Sequence, residues 1–228
     1  MVFEDRLSYE GREKRAAVHA GREVPGEDLG RIISLTDGVF AFALTLLVLG
    51  LTVPILNTAG LATSQVSSQL AARLQGDWPK FVGYVFAFVM ISVWWMVHHR
   101  TFRYIERYDF VLMWLNMMVL LEIAVMPFVL QVYTAYTDTQ AAVVLFAFLQ
   151  MATGLTINAI WRYASRGHRL INANLPAAEI RYFANRGVLP AIAFGGSILV
   201  TFVSVPAAEF LWIVPIVLNR WSQRYGVD

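Results

Sequence analysis

The chain has 228 residues, 57% of them hydrophobic, 14% aromatic and only 15% charged, with a net charge of +2 and no cysteine. A soluble domain is about 45–50% apolar and about 25% charged, so these numbers argue against a soluble enzyme and against disorder. The missing cysteines remove disulfides, thiolate metal sites and thiol nucleophiles, and a mean hydropathy of +0.54 points to a membrane.

Residues 1–30 are polar and mixed in charge, with no short apolar run before a small-residue cleavage site, so they read as a cytoplasmic N-terminal tail and not a signal peptide. The tail ends in Pro25-Gly26-Glu27-Asp28, whose acids favour the positive end of the coming helix dipole. A spanning helix needs about 20 mostly apolar residues. Six stretches qualify: Arg31 to Pro54, Trp78 to His99, Asp109 to Val132, Thr139 to Arg162, Val188 to Val205 and Pro206 to Trp221. The expected fold is all-α, a polytopic membrane domain of six transmembrane helices over 31–222, with 223–228 as a cytoplasmic C-terminal end. The last two spans are joined so closely that they form a tight hairpin. The connection from Leu56 to Asp77 is long, and Ser64 to Gln75 alternates apolar and small polar residues at helical spacing. A short surface helix and a plain polar loop both fit that pattern.

Orientation follows from the basic residues flanking the spans. Of the 18 Lys and Arg, only Arg73 and Lys80 fall outside the alternate connections that hold the other 16. Both termini are therefore expected on the cytoplasmic side, which independently requires an even number of spans.

No glycine-rich phosphate loop, GxSxG or HExxH motif is present, and the His98-His99 pair lacks carboxylates at metal-ligand spacing. Ionisable groups within spans carry more information, because burying one in a bilayer costs several kcal/mol unless it is paired or hydrated. Asp37 and Glu122 are such groups. Asp37 and Asn116 fall at similar depth and His98 is shallower but near, so a polar layer joining the first three spans near the cytoplasmic side is geometrically reasonable. Such layers often serve only to hold helices together.

On a helical wheel the first span has one nearly unbroken apolar face, with Leu35, Gly38, Phe42, Leu46, Leu49 and Val53. That face carries a single hydroxyl, Thr45, and Arg31 at its base, while Asp37 falls on the opposite side with Phe40 and Leu44. Taken alone, the stripe suits a lipid face, a packing surface or a pore wall.

Arg31-x-x-x-Leu35-Thr36-Asp37, followed by Gly38-Val39-Phe40-Ala41 and Thr45, resembles the R-x-x-x-F-S-D-x7-T signature of the transmembrane protein 175 family, with Leu for Phe and Thr for Ser. The second span adds Trp78-Pro79-x-Phe81-x-x-Tyr84 and Trp95-x-x-His98-His99-x-x-Phe102. The third adds Asn116 and Met126-Pro127-Phe128. The resemblance covers about residues 28–130; the last three spans match in number and hydrophobicity only.

The resemblance implies a potassium-permeable channel, not an enzyme, with no filter loop, no cofactor, and potassium as the permeant ion. It implies a homotetramer in the cell membrane, with no nucleic-acid partner, whose first helices line the pore. Phe42, Leu46 and Leu49 would form its hydrophobic gate, where relatives tend to have Ile or Leu at the Phe42 position. Thr45 would contribute selectivity, modestly favouring potassium over sodium. Arg31, Thr36, Asp37, His98 and Asn116 would form a structural polar network. The competing reading is a proton-coupled secondary transporter using Asp37, Glu122 and His98 as a relay. Neither an inverted repeat nor paired broken helices support it.

The topology is open to a direct test. Tags at both termini of the protein in intact cells should be reached by impermeant labels only after the membrane is opened; labelling of an N-terminal tag from outside would overturn the orientation.

Overall fold

Away from water, a backbone must satisfy its own N–H and C=O groups, and a long apolar segment does so as a helix. The computed structural model, which describes residues 24–25 and 29–212, follows that rule. Helix α1 (Leu29–Leu46) tightens into a 3-10 turn over Leu47–Gly50. Helix α2 (Thr63–Gly76) lies in the connection to α3 (Trp78–Phe102), and then come α4 (Phe110–Ala135), α5 (Gln140–Ser165), α6 (Ala177–Val200) and the short α7 (Val205–Phe210). Strand β1 (Val24–Pro25) pairs antiparallel with β2 (Arg107–Tyr108).

Five helices among the described residues are long and apolar enough to cross a membrane: Leu29–Gly50, Trp78–Phe102, Phe110–Ala135, Gln140–His168 and Ala177–Val200. They correspond to the first five expected spans. Of the sixth, only the beginning falls within the described residues, where α7 starts at Val205 after Ser204 caps it by accepting from the Ala207 N–H. The rest of that span, and most of the N-terminal tail, lie outside the described residues.

The fifth span begins earlier than expected, at Ala177 in place of Val188. Arg181 and Arg186 read as loop residues in the sequence, yet they sit on the first turns of α6. A long arginine can lie along apolar surface and keep its charged head at the membrane edge, so a charge there does not end a helix. Between the two readings of the long connection from Leu56 to Asp77, the structure takes the helix. The Gln65 side chain accepts from the Ala62 N–H at its start, and no α2 residue is buried.

The core is organised around α5, which is buried along much of its length and packs between α4 and α6. Phe146 on α5 stacks on Tyr133 of α4 at 4.7 Å and meets Trp212 at 4.7 Å. The Tyr133 hydroxyl donates to Glu209 at 2.8 Å, which fastens α7 to this aromatic cluster. On the other flank, α1 and α3 pack against α4.

At the arginine-rich end, Asp109 caps α4 by accepting from the Leu112 N–H at 2.9 Å. The same carboxylate accepts from the Tyr163 hydroxyl and pairs with Arg169 at 3.1 Å. The β2 segment also receives support, because the N–H groups of Glu106 and Arg107 both donate to the Leu170 carbonyl. Asp109 is almost fully buried, so removing it deprives a helix of its cap, and the part-buried Tyr163 hydroxyl and the half-exposed Arg169 guanidinium of their acceptor. Asp109→Ala should cost about 2–4 kcal/mol of stability, read as a lowered thermal midpoint of the purified protein in detergent; an unchanged midpoint would contradict this account.

Candidate functional site

The residues singled out in the first three spans sort into two groups on opposite sides of α1. Toward the bundle, Thr36 is fully buried and its hydroxyl donates to the Ile32 carbonyl one turn back, at 2.9 Å. The Thr36 oxygen also accepts from the Asn116 amide nitrogen on α4, at 2.9 Å. The Asn116 amide oxygen lies 2.8 Å from His98 Nε2 on α3, so it accepts the Nε2–H of that tautomer. His98 is held in turn by Phe102, stacked at 4.2 Å, and by Phe40 at 6.0 Å. Three spans thus meet through one buried asparagine that both donates and accepts.

Asp37 is not part of that chain. It is exposed on the flank of α1 and accepts from the Trp95 indole N–H of α3 at 2.9 Å. At about 100° per residue Asp37 lies some 60° from Phe40, and that gap separates the edge of the helix from its core face. Phe40 is buried while Asp37 is exposed, so the wheel face on which they were grouped is divided in the structure. Trp95 was absent from the site expected from sequence. A signal for it existed, because an indole N–H within a span needs an acceptor and Trp95 stands one turn before His98. Arg31 is exposed near the start of α1 and takes no part in the Asn116 chain.

Away from the bundle, α1 and the 3-10 turn that continues it present Leu35, Gly38, Phe42, Thr45 and Leu49, all exposed; Phe42 and Leu49 are 65% and 71% exposed. The buried side consists of Leu29, Ile32, Thr36, Phe40 and Ala43, followed by Leu47 in the 3-10 turn. Leu46 stands at the border and is half-buried. The Thr45 hydroxyl donates to the Phe42 carbonyl at 2.8 Å, which leaves its oxygen lone pairs on the exposed side. Val53, expected on this face, lies beyond the end of the helix.

Glu122 is far from the α1 face in its contacts. It accepts from the Thr156 hydroxyl of α5 at 2.8 Å, and its other oxygen is buried without a partner among the described residues. Asp37, Glu122 and His98 therefore make three separate sets of contacts, with Trp95, Thr156 and Asn116 respectively. No group of three or more His, Cys, Asp or Glu side chains able to hold a metal is found among the described residues.

Residues 31–127 match the family model described as the endosomal/lysosomal potassium channel TMEM175. A potassium channel of Streptomyces collinus is 30% identical over 181 residues, covering 78% of this chain and 84% of the relative. The human endosomal/lysosomal proton channel TMEM175 is 24% identical over 202 residues, covering 86% of this chain and 38% of the human protein. In structure, the chain is similar to a Chamaesiphon minutus homolog of the lysosomal potassium-selective channel TMEM175. The TM-score is 0.66 at 24% identity, over 85% of this chain and 97% of that one.

The buried chain at Asn116 has a measurable consequence. Asn116→Ala leaves the His98 N–H without its acceptor in a fully enclosed site, and should destabilise the protein by about 1–3 kcal/mol. Asp37→Ala, at an exposed position, should cost less. Thermal unfolding of the two variants side by side checks the order; a larger loss for Asp37→Ala would reverse the assignment of roles.

Proposed function

We propose a function from one premise: this chain belongs to the TMEM175 family. It is a multi-pass membrane protein of a family of ion channels, not an enzyme. In our reading it forms a potassium-permeable pore in the cell membrane as a homotetramer, with both termini cytoplasmic. No cofactor takes part, and the permeant species is the ion itself.

The observation that carries this reading is the composition of the exposed side of α1. It combines Ser34, Asp37, Gly38 and Thr45 with Leu35, Phe42 and Leu49. A lipid-facing helix does not display a carboxylate and two hydroxyls among its leucines, because each polar group in hydrocarbon costs free energy. A surface that meets water at some levels and other protein at others accommodates both. Four copies of this face around a central axis satisfy that requirement, and closed rotational symmetry is the usual way to bury a self-complementary patch.

In such an assembly Phe42, Leu46 and Leu49 form successive rings about 4.5–6 Å apart along the axis. A narrow apolar ring excludes ions because it strips their water and returns no ligand. Thr45 lies between the Phe42 and Leu46 levels on the exposed side, and its oxygen keeps acceptor capacity there. It is the group placed to replace part of an ion's hydration shell, which supports a modest preference for potassium over sodium. The buried Thr36–Asn116–His98 chain and the Asp37–Trp95 pair fix the rotation of α1 that turns this face outward. A relay through Asp37, Glu122 and His98 lacks a hydrogen bond between any two of the three among the described residues.

Phe42 is the bulkiest of the three and the best candidate for the narrowest ring. Phe42→Ala in liposomes should raise potassium flux several-fold and weaken discrimination against sodium, while Thr45→Ala should lower the potassium preference with a smaller change in flux. If Phe42→Ala leaves flux unchanged and Leu46→Ala or Leu49→Ala opens the pore, the constriction lies further along the helix. If none of the three changes flux, α1 does not line the pathway. The mass of the purified assembly in detergent should correspond to four subunits, and a conducting monomer would refute the arrangement.

A further inference from the structure

A cavity of about 230 Å³ opens at the arginine-rich end of the bundle, between the end of α3, the end of α5 and the first half of α6. It lies on a different side of α3 from the Asp37–Trp95 contact, and no residue of the α1 face lines it. Its walls are largely apolar, formed by Trp94, Ile157, Trp161 and Pro190 among others, and Arg100 and Arg186 also line it. Two glycines keep it open where α5 and α6 approach. A Cβ on Gly187 would come within 2.6 Å of the Asn158 amide nitrogen, and one on Gly154 within 3.3 Å of the Trp94 ring.

Three features point to one class of occupant. First, the shape is an apolar slot ending in cations, which suits an amphiphile with a negative head. Arg100 lies over the Phe183 ring at 4.8 Å, an arrangement that positions the planar fork without neutralising it. Second, the surrounding surface is strongly basic. The segments 100–109 and 162–186 hold eight arginines against three carboxylates, Glu106, Asp109 and Glu179. Of these, Asp109 is already paired with Arg169, and Glu106 accepts from Asn172. Third, the lining includes Tyr104, a residue type that gathers at the headgroup depth of a bilayer.

We infer that this cavity binds an anionic phospholipid from the leaflet it faces, with part of one acyl chain between α3, α5 and α6 and the phosphate held by Arg100 and Arg186. A guanidinium fork matches phosphate oxygens in a bidentate fashion, and basic pockets between spanning helices select anionic over zwitterionic headgroups. The site is independent of the pore reading, because binding is measured without any ion flux.

The test uses the full chain purified in detergent, titrated with dioctanoyl phosphatidylglycerol or dioctanoyl phosphatidylcholine, with bound lipid counted by native mass spectrometry. The native protein should prefer the anionic lipid by about tenfold in apparent Kd, the size expected for one charge-assisted contact. Arg100→Gln and Arg186→Gln should each bring that preference close to unity, and Val97→Trp, which fills the slot, should weaken binding of both lipids. Arg186 also contacts Tyr182, so if Arg186→Gln does not fold, Arg100→Gln and Val97→Trp decide the matter. Equal binding of the two lipids by the native chain, or an anionic preference that survives Arg100→Gln, would overturn the inference. So would glycerol 3-phosphate competing at the same concentration as the lipid, since the acyl slot would then contribute nothing.

Discussion

Everything that α1 presents to its surroundings depends on one buried amide. Asn116 donates to Thr36 and accepts from His98, and so joins α1, α4 and α3 at a single level. In a hydrocarbon setting the attraction between apolar helices is weak in direction, because lipid tails compete for the same surface. Hydrogen bonds fix what packing alone leaves free, namely the rotation of each helix about its axis. A turn of α1 by one residue, about 100°, would withdraw Thr36 from Asn116 and carry Phe42 toward the bundle. The buried chain and the exposed stripe are two sides of one constraint.

The parts of this arrangement that were legible in the sequence are those that follow from hydropathy and from the wheel. Five spans were readable because each is a long apolar run. Polar residues at a common depth in the first three spans were readable because so few polar residues occur there at all. The partner of Asp37 was only half legible: the Trp95 indole N–H needs an acceptor, but a one-dimensional pattern does not say which of two flanking helices an edge residue meets. Trp95 and His98 are one turn apart on α3, yet one serves Asp37 and the other Asn116. The start of α6 was missed for a related reason. Charge counts treat Arg181 and Arg186 as loop residues, whereas a long side chain can reach the interface from well inside a helix. The Asp109 lock with Tyr163 and Arg169 joins segments more than 50 residues apart, and only the fold brings them together.

The two ends of α1 are held by different forces. Its first half carries all the side-chain hydrogen bonds to other helices, through Thr36 and Asp37. Its second half packs on the bundle side through Phe40, Ala43 and Leu47, with no side-chain hydrogen bond to another helix among the described residues. It then tightens into the 3-10 turn that brings Gly50 against Gln131, where an added Cβ would stand 3.2 Å from the side chain. Apolar contacts are non-directional and tolerate small rotations, while a buried amide does not.

That asymmetry bears on how the proposed pore, one without a filter loop, would both close and discriminate. The anchored half sets the axis of α1 and the side it turns outward, so the proposed rings always address the same axis. Phe42, Leu46 and Leu49 lie on the later half and the 3-10 turn that follows it, where the neighbours permit adjustment, and a shift of an ångström or two there would change the width of the proposed constriction. Such a constriction is steep in its response, because an ion that loses its water without gaining ligands faces a barrier of many kcal/mol. A hydroxyl within the same stretch lowers that barrier only for an ion that sheds its hydration readily, and Thr45 is exposed there with its hydrogen already committed to the Phe42 carbonyl. Its oxygen is therefore held as an acceptor, the polarity a cation needs, and a donor facing the axis would instead favour an anion.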